Sequence, residues 1–367
     1  MKTIDILFSY YYDSKGQEIC VGGIQTYITN IIKVCTEIGY NVRVFQYADE
    51  DFYKILGNTS EVFGIKTDRK DKKKNINLWN RAKESRTDGD YITIIATDTM
   101  IPEIHIENSI VIQHGICWDI PYEHKRSFLR HFIGKSIGAY KIIKRLSYVD
   151  NVVCVDYNFL NWYRATICSG RIKCKVIPNF TEILPERTGL NDKINIIFAR
   201  RFYCYRGTRI FANAIERIVK EYDNISVTVA GDGEDKKWLL DKLGGYENIT
   251  FSKYTSEESL AVHQKHDIAV VPTIGSEGTS LSLLEAMSAG CAVICSNVGG
   301  MTNIVLDGHN GLMIEPDEQE LYLALKSLID NKELRIKLSK NAYETAADSF
   351  SYEKWAQEWK KIILEIS

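Results

Sequence analysis

Short β-rich runs alternate with amphipathic helical stretches from one end of this chain to the other, and they do so in two successive series. That order argues for βαβ units and parallel sheets, because a parallel neighbour can be reached only through a crossover, usually a helix. The first series reads as strands at 3–9, 41–47, 91–97, 109–114 and 151–156. Between the first two, Ile24, Tyr27, Ile28, Ile31, Ile32, Cys35 and Ile38 recur at helical spacing, and Gly39 is a plausible stop. The second series places strands at 194–200, 225–231, 248–252, 267–273 and 291–296, with helical patterns over 207–222 and 257–266. Prolines, polar residues and a glycine over 177–193 mark the join. The expected architecture is α/β, with two Rossmann-like domains facing each other across a cleft, covering 1–182 and 183–350. Ligands of such sheets bind at the carboxyl ends of the strands.

Length and composition agree with two ordinary globular domains. The chain has 367 residues, of which 45% are apolar and 26% charged, with a net charge of −2. That balance lacks the basic excess of a general nucleic-acid binder. No stretch approaches the ~18 apolar residues of a membrane span. The N-terminal apolar run is short and strand-like, without a cleavage site, so secretory export is not expected and a cytoplasmic location is. Nine cysteines without a C-x-x-C pair read as small buried hydrophobes in a reducing compartment, and no ligand cluster suggests a metal.

Several segments could carry chemistry. "VGGIQTY" (21–27) puts Gly22 and Gly23 at the start of the first helix, where the backbone can approach a ligand closely. "IQHGICWDIP" (112–121) ends a strand with His114 and continues to Asp119, which could face a cleft or cap a turn. "ARRFYCYRGT" (199–208) sets Arg200, Arg201 and Arg206 after the first strand of the second series, and guanidinium forks suit phosphate oxygens. "AGDGED" (230–235) brackets Asp232 between Gly231 and Gly233 in a tight turn.

"SEGTSLSLLEAMSAG" (276–290) is the most informative segment. With the helix entry at 276–279, the N–H groups of Gly278, Thr279, Ser280 and Leu281 would form an anion pocket. Glu277 and Glu285 flank it, about 10 Å apart at about 1.5 Å of rise per residue. No arginine or lysine lies within the segment. Either Glu277 is a first-turn carboxylate and Glu285 pairs with a distant base, or both accept hydrogen bonds from hydroxyls of a ligand whose phosphates sit at the helix start.

In this order, the Gly-Gly loop, the histidine after a first-domain strand, "IPN" (177–179) at the linker, the basic pair, "GDG", and E-x7-E followed by "VGG" resemble the retaining glycosyltransferases of the GT-B fold, family 4 (group 1) type. The resemblance spans nearly the whole chain. It implies that the last helix, within 351–367, crosses back onto the first domain. It implies that Glu285 binds the ribose of a nucleotide-diphosphate sugar, Glu277 the hydroxyls of the transferred sugar, and Arg201 and Arg206 the diphosphate. His114 would contact the sugar near the reacting centre. Gly22, Gly23, Gly231, Gly233 and the backbone of Gly278–Leu281 would contribute to donor binding, with Asp119 and Asn179 on the acceptor side. Departures from the pattern are Arg206 for the usual lysine, Phe180 after "IPN" and Ser280 at the helix entry. The implied reaction moves a hexose-type sugar from a UDP- or GDP-sugar to a glycan or lipid-linked acceptor. It forms an α-linkage by front-face substitution, needs no cofactor or metal, and belongs in surface polysaccharide or glycolipid biosynthesis.

A UDP-sugar epimerase of the same architecture is the main rival, and the spacing of Glu277, Arg201 and Arg206 argues against it. A noncatalytic sugar-nucleotide-binding protein would not need the full set of charged residues. One segment stands outside this scheme: 124–149 holds seven Lys/Arg and no Asp or Glu, with Phe128, Phe132, Ile137, Tyr140 and Ile143 among them. It suits either a basic helix packed on the first domain or a peripheral contact with anionic lipid on the cytoplasmic face of a membrane.

Overall fold

A computed structural model describes residues 2–20, 22–57, 59–116, 127–167, 172–187, 193–255, 257–275 and 277–366. Asp119 and Ser276 lie outside the described residues. The chain forms two compact units, one of Met1–His114, Ser127–Pro178 and Trp355–Ser367, the other centred on Asn179–Lys354. Each unit holds one Rossmann-like α/β sheet with helices.

The strands of the first sheet are β1 (Lys2–Phe8), β2 (Asn41–Ala48), β3 (Phe52–Leu56), β4 (Ser60–Lys66), β5 (Asp90–Ile95), β6 (Ile106–Gln113), β7 (Val149–Cys154) and β8 (Lys173–Val176). Their order is β3-β4-β2-β1-β5-β6-β7-β8, parallel throughout except for the antiparallel β3–β4 hairpin. The second sheet holds β9 (Ile194–Ala199), β10 (Ile225–Ala230), β11 (Ile249–Ser252), β12 (Ile268–Val271), β13 (Ala292–Ser296) and β14 (Leu312–Ile314). Its order is β11-β10-β9-β12-β13-β14, with every pair parallel.

Helices cover both faces of the second sheet, and the sequence alternation says why. Ile196, Phe198, Val227, Val229, Ile268, Val270 and Ile294 point to one core, with the helices at Thr208–Glu221 and Glu318–Asp330. The residues between them, Ile197, Ala199, Ala269, Val271, Val293 and Cys295, point to a second core under the helices at Leu281–Ser288 and Lys332–Ser349. Period-two side chains that are apolar on both sides give the continuous hydrophobic runs of a doubly covered parallel sheet.

Topology fixes where each sheet can bind. In the second sheet the chain moves outward from β9 through β10 to β11, then returns to β12 on the other side of β9. In the first it moves from β1 to β2, then crosses to β5 on the other side of β1. Both reversals open a crevice at the carboxyl ends of the two strands concerned.

From Trp355 onward the last helix, Tyr352–Ile366, groups with the first unit. Trp359 is completely buried there, and its Nε1 donates to the Tyr27 hydroxyl at 3.0 Å. Trp355 packs edge-on against the same tyrosine, with ring centroids 5.1 Å apart. Burial drives the Tyr27 pKa well above its usual value, so the hydroxyl remains an intact acceptor and donor. Trp359→Ala should lower unfolding free energy by about 3–5 kcal/mol, the usual cost of emptying an aromatic site. Urea denaturation will read this, with Lys361→Ala on the exposed side of the helix as the near-neutral control.

Candidate functional site

Three loops meet at the carboxyl ends of β9, β10 and β12. After β9, Arg200 N bonds the Ala230 carbonyl at 3.0 Å, and Phe202 N bonds that of Asp232 at 2.9 Å. The arginine loop is therefore laced to the "GDG" turn. Gly231, at φ 147°, makes this possible, since a Cβ there would lie 1.9 Å from the Arg200 carbonyl oxygen. Gly233 lies against the Phe202 backbone in the same turn. Both expected donor-side glycines thus act in the structure by letting the two loops close on each other.

Glu277 follows β12 and is held from both directions. Its Oε2 accepts from Arg200 Nη2 at 2.8 Å, from Thr273 Oγ1 at 3.1 Å and from Arg206 Nη1. Oε1 makes no hydrogen bond among the described residues. Burial opposes ionisation of this carboxyl, but Arg200 and Arg206 outweigh it and hold its pKa below the usual range. Its backbone is clamped as well. Gly300 N donates to the Glu277 carbonyl at 2.9 Å, and Gly299, at φ 56°, brings the "VGG" loop so close that a Cβ would lie 2.2 Å from that oxygen.

The geometry distinguishes the two adjacent arginines and supplies bases for Glu277. Arg201 is exposed and makes no ion pair or hydrogen bond through its side chain among the described residues; its neighbour Arg200 is the buried partner. Nor is Glu277 without a base. Its partners come from 77 and 71 residues away, which no local inspection of the segment reveals. Two guanidinium groups against one carboxylate leave the cluster one positive charge in excess. Among the described residues Arg200 Nη1 is buried with no acceptor, and Arg206 is half-buried with its guanidinium over the Tyr205 ring, 5.1 Å from the centroid. A cluster of that sign and donor surplus suits an anion.

The helix of the E-x7-E segment starts later than expected, at Leu281, with Ser280 in the cap position. Glu277 therefore precedes the helix instead of occupying its first turn, and the straight-helix separation from Glu285 does not apply. The N–H groups of Gly278, Ser280 and Leu281 have no acceptor among the described residues. Asn179 Nδ2 donates to the Thr279 carbonyl at 2.7 Å and so fixes this strip.

Glu285 sits on that helix and accepts from Ser259 Oγ at 2.6 Å. Its partner is a hydroxyl, not the distant base one expectation proposed. Burial raises its pKa to about 7, only partly offset by Ser259 and the field of Arg200. One carboxyl is thus held ionised by its arginines, and the other is poised near neutrality. Sequence reasoning named Arg200 only within the arginine loop, not as a partner of Glu277, and missed Thr273 and Ser259. The strand-end position of Arg200 and Thr273 was a usable signal; nothing local distinguishes Ser259 from other helix serines.

In the first unit, Gly22 stands before the helix Gly23–Glu37 at the carboxyl end of β1's crevice, and Gln25 Nε2 donates to the Tyr10 carbonyl at 3.0 Å. His114 follows β6 directly. Its Nε2 lies 2.9 Å from the Ala96 carbonyl, which can only accept, so Nε2 carries the proton. Burial lowers its pKa to about 4, which keeps the ring neutral and leaves Nδ1 as a lone-pair acceptor. The ring stands edge-on to Tyr27, with centroids 5.4 Å apart.

Comparison with known proteins supports a GT-B glycosyltransferase. The model of the family described as glycosyl transferases group 1 matches residues 180–345. An uncharacterized glycosyltransferase of Methanocaldococcus jannaschii is 28% identical over 263 residues, covering 69% of this chain and 67% of that one. Sucrose-phosphate synthase from Thermosynechococcus elongatus superposes with a TM-score of 0.78 at 16% identity, over 99% of both chains. Anabaena HepE, solved with UDP-glucose, gives 0.71 at 14% identity over 100% of both chains.

Two measurements check the assignments within the cluster. Arg200→Met removes one partner of a buried carboxylate and should cost up to about 3–5 kcal/mol in denaturant unfolding, whereas Arg201→Met should stay within about 0.5 kcal/mol. For Glu285, the native state keeps a proton to about pH 7 that the unfolded chain loses near 4.5. Unfolding free energy therefore falls as pH rises through that window. Relative to the native sequence, Glu285→Gln should become progressively more stable between those pH values, as read by thermal melts across pH.

Proposed function

We propose that the protein is a retaining glycosyltransferase that takes a hexose-type sugar from a UDP- or GDP-sugar and forms an α-linkage to a glycan or lipid-linked acceptor. The observation that carries this reading is the asymmetric Glu277: one oxygen is locked by Arg200, Arg206 and Thr273, and the other is open beside a cationic cluster and unpaired helix-entry N–H groups. A nucleotide-diphosphate sugar offers complementary groups, with hydroxyls for the free carboxylate oxygen and phosphate oxygens for the donors. That HepE binds UDP-glucose on the same fold supports a nucleotide-sugar donor here.

In this reading Arg206 and exposed Arg201 meet the diphosphate, together with the backbone N–H groups of Gly278–Leu281. The charge that develops on the departing diphosphate is met by fixed guanidinium and backbone donors already in place. Ionised Glu277 accepts from hydroxyls of the sugar and orients its anomeric carbon. Glu285 accepts from the ribose diol, with Ser259 holding one of its oxygens. His114, neutral and with Nδ1 open, accepts from a further sugar hydroxyl, and its pKa of about 4 makes it a positioning group and not a proton donor at neutral pH. With no side chain assigned as nucleophile, retention follows from front-face attack, the acceptor hydroxyl passing its proton to the leaving phosphate oxygen on the same face. Such chemistry needs no metal or cofactor and fits surface polysaccharide or glycolipid assembly on the cytoplasmic side of a membrane.

Thermal-shift screening of UDP- and GDP-sugars should identify the donor, since a ligand that binds only the native state raises its melting temperature. With that donor, Glu277→Gln should reduce transfer by about 100-fold or more, the scale of losing one preorganised transition-state contact. Proton NMR of the product should show an α-anomer, and turnover should persist in EDTA. Undiminished transfer by the variant, or a β-product, would overturn the assignment.

A further inference from the structure

The basic segment is the largest feature the proposed chemistry leaves unused. Residues Phe128–Leu146 form a 19-residue helix, of which only Ile142 and Leu146, near its C-terminal end, are buried. No residue from Ser127 to Lys141 is buried. Phe128, Leu129, Phe132, Ile133, Ile137 and Tyr140 are instead between 47% and 70% exposed. At about 100° per residue they fall within one half of the helix circumference. Six large apolar side chains on one exposed face form a continuous patch of the kind a soluble surface rarely leaves open.

The charges choose between occupants. The helix carries five Lys/Arg and no Asp or Glu, in a chain whose net charge is −2. Arg130 and Lys141 lie along one border of the apolar face and Lys144 projects near it, reaching Glu103 at 3.1 Å. A protein partner would need only the apolar stripe. The pairing of that stripe with a one-signed rim of cations matches the interface of a bilayer bearing anionic headgroups, where apolar side chains enter the acyl boundary and lysines and arginines stay at the phosphates. Among the described residues no helix is long and apolar enough to cross a membrane, so the contact this helix can make lies in the plane of the surface.

We propose that the Phe128–Leu146 helix is an in-plane membrane anchor that docks the protein on anionic lipid. This does not depend on the reaction assigned above, because it rests on a surface of the first unit alone. The basic residues supply attraction that salt weakens, and the apolar face supplies insertion that salt leaves intact.

Vesicle flotation of the full chain tests it. With vesicles containing about 30% phosphatidylglycerol at about 0.15 M salt, the protein should float, and with pure phosphatidylcholine it should remain in the load. Phe132→Ser combined with Ile133→Ser should weaken binding at least tenfold. Arg130→Gln and Lys141→Gln should each weaken it roughly fivefold, the value of one charge near such a surface. All four positions are exposed, so melting temperatures should match the native protein and exclude misfolding as the cause. Failure to bind anionic vesicles, equal binding to neutral ones, or binding indifferent to these substitutions would overturn the proposal. So would a dimer in light scattering that the Phe132→Ser, Ile133→Ser variant dissolves, since a second copy would then be the occupant.

Discussion

A buried carboxylate that cannot leave its two arginines organises the second unit. Glu277 follows β12 and Arg200 follows β9, adjacent strands of one sheet, so the ion pair ties together the loops on either side of the point where strand order reverses. Removing three ionised groups from water costs several kcal/mol each, and their mutual attraction recovers this only with good geometry. The sheet supplies that geometry. Apolar cores on both of its faces hold the strand ends in place, and the glycines of "GDG" and "VGG" let the loops close without intervening side chains. The cluster is thus a consequence of the fold's packing, and its value lies in specificity of arrangement.

The strand pattern was legible because central strands of a doubly covered sheet are apolar nearly throughout: β12 at every residue, β13 at all but Ser296. The sequence reading missed β3, β4, β8 and β14. Strands β3 and β8 are edges with much of their surface exposed, and their lysines and polar residues break the apolar run that identifies an interior strand. β14 is three residues long, too short for any periodicity. The hairpin of β3 and β4 is also the one antiparallel pair of the first sheet, so it needed no crossover helix to announce it.

The site was legible in its chemistry and less so in its partners. The arginine-rich loop follows β9 as the sequence reading had it, Glu277 follows β12, and Glu285 lies on the next helix. Arg200 and Arg201 were indistinguishable as a dipeptide: adjacent residues leave the backbone on opposite sides, and only the direction of the chain past β9 decides which is buried. A lack of nearby bases was likewise a property of the sequence and not of space. In a parallel sheet, neighbours at the carboxyl edge are separated by whole βα units, so a buried carboxylate's partner is expected tens of residues away.

That separation also explains how Glu277 is fixed from one side only. A carboxylate with both oxygens free would rotate and accept from hydroxyls over a wide arc. One with both oxygens paired would offer nothing. With Oε2 held by three donors from three positions in the chain, the plane of the Glu277 carboxyl is fixed, and Oε1 has no partner among the described residues. Arginine at 206 contributes in a way a lysine could not, since its planar fork lies over Tyr205 while one nitrogen reaches Oε2 and the others remain directed elsewhere. Arginine at this position therefore tightens the orientation of the Glu277 carboxylate.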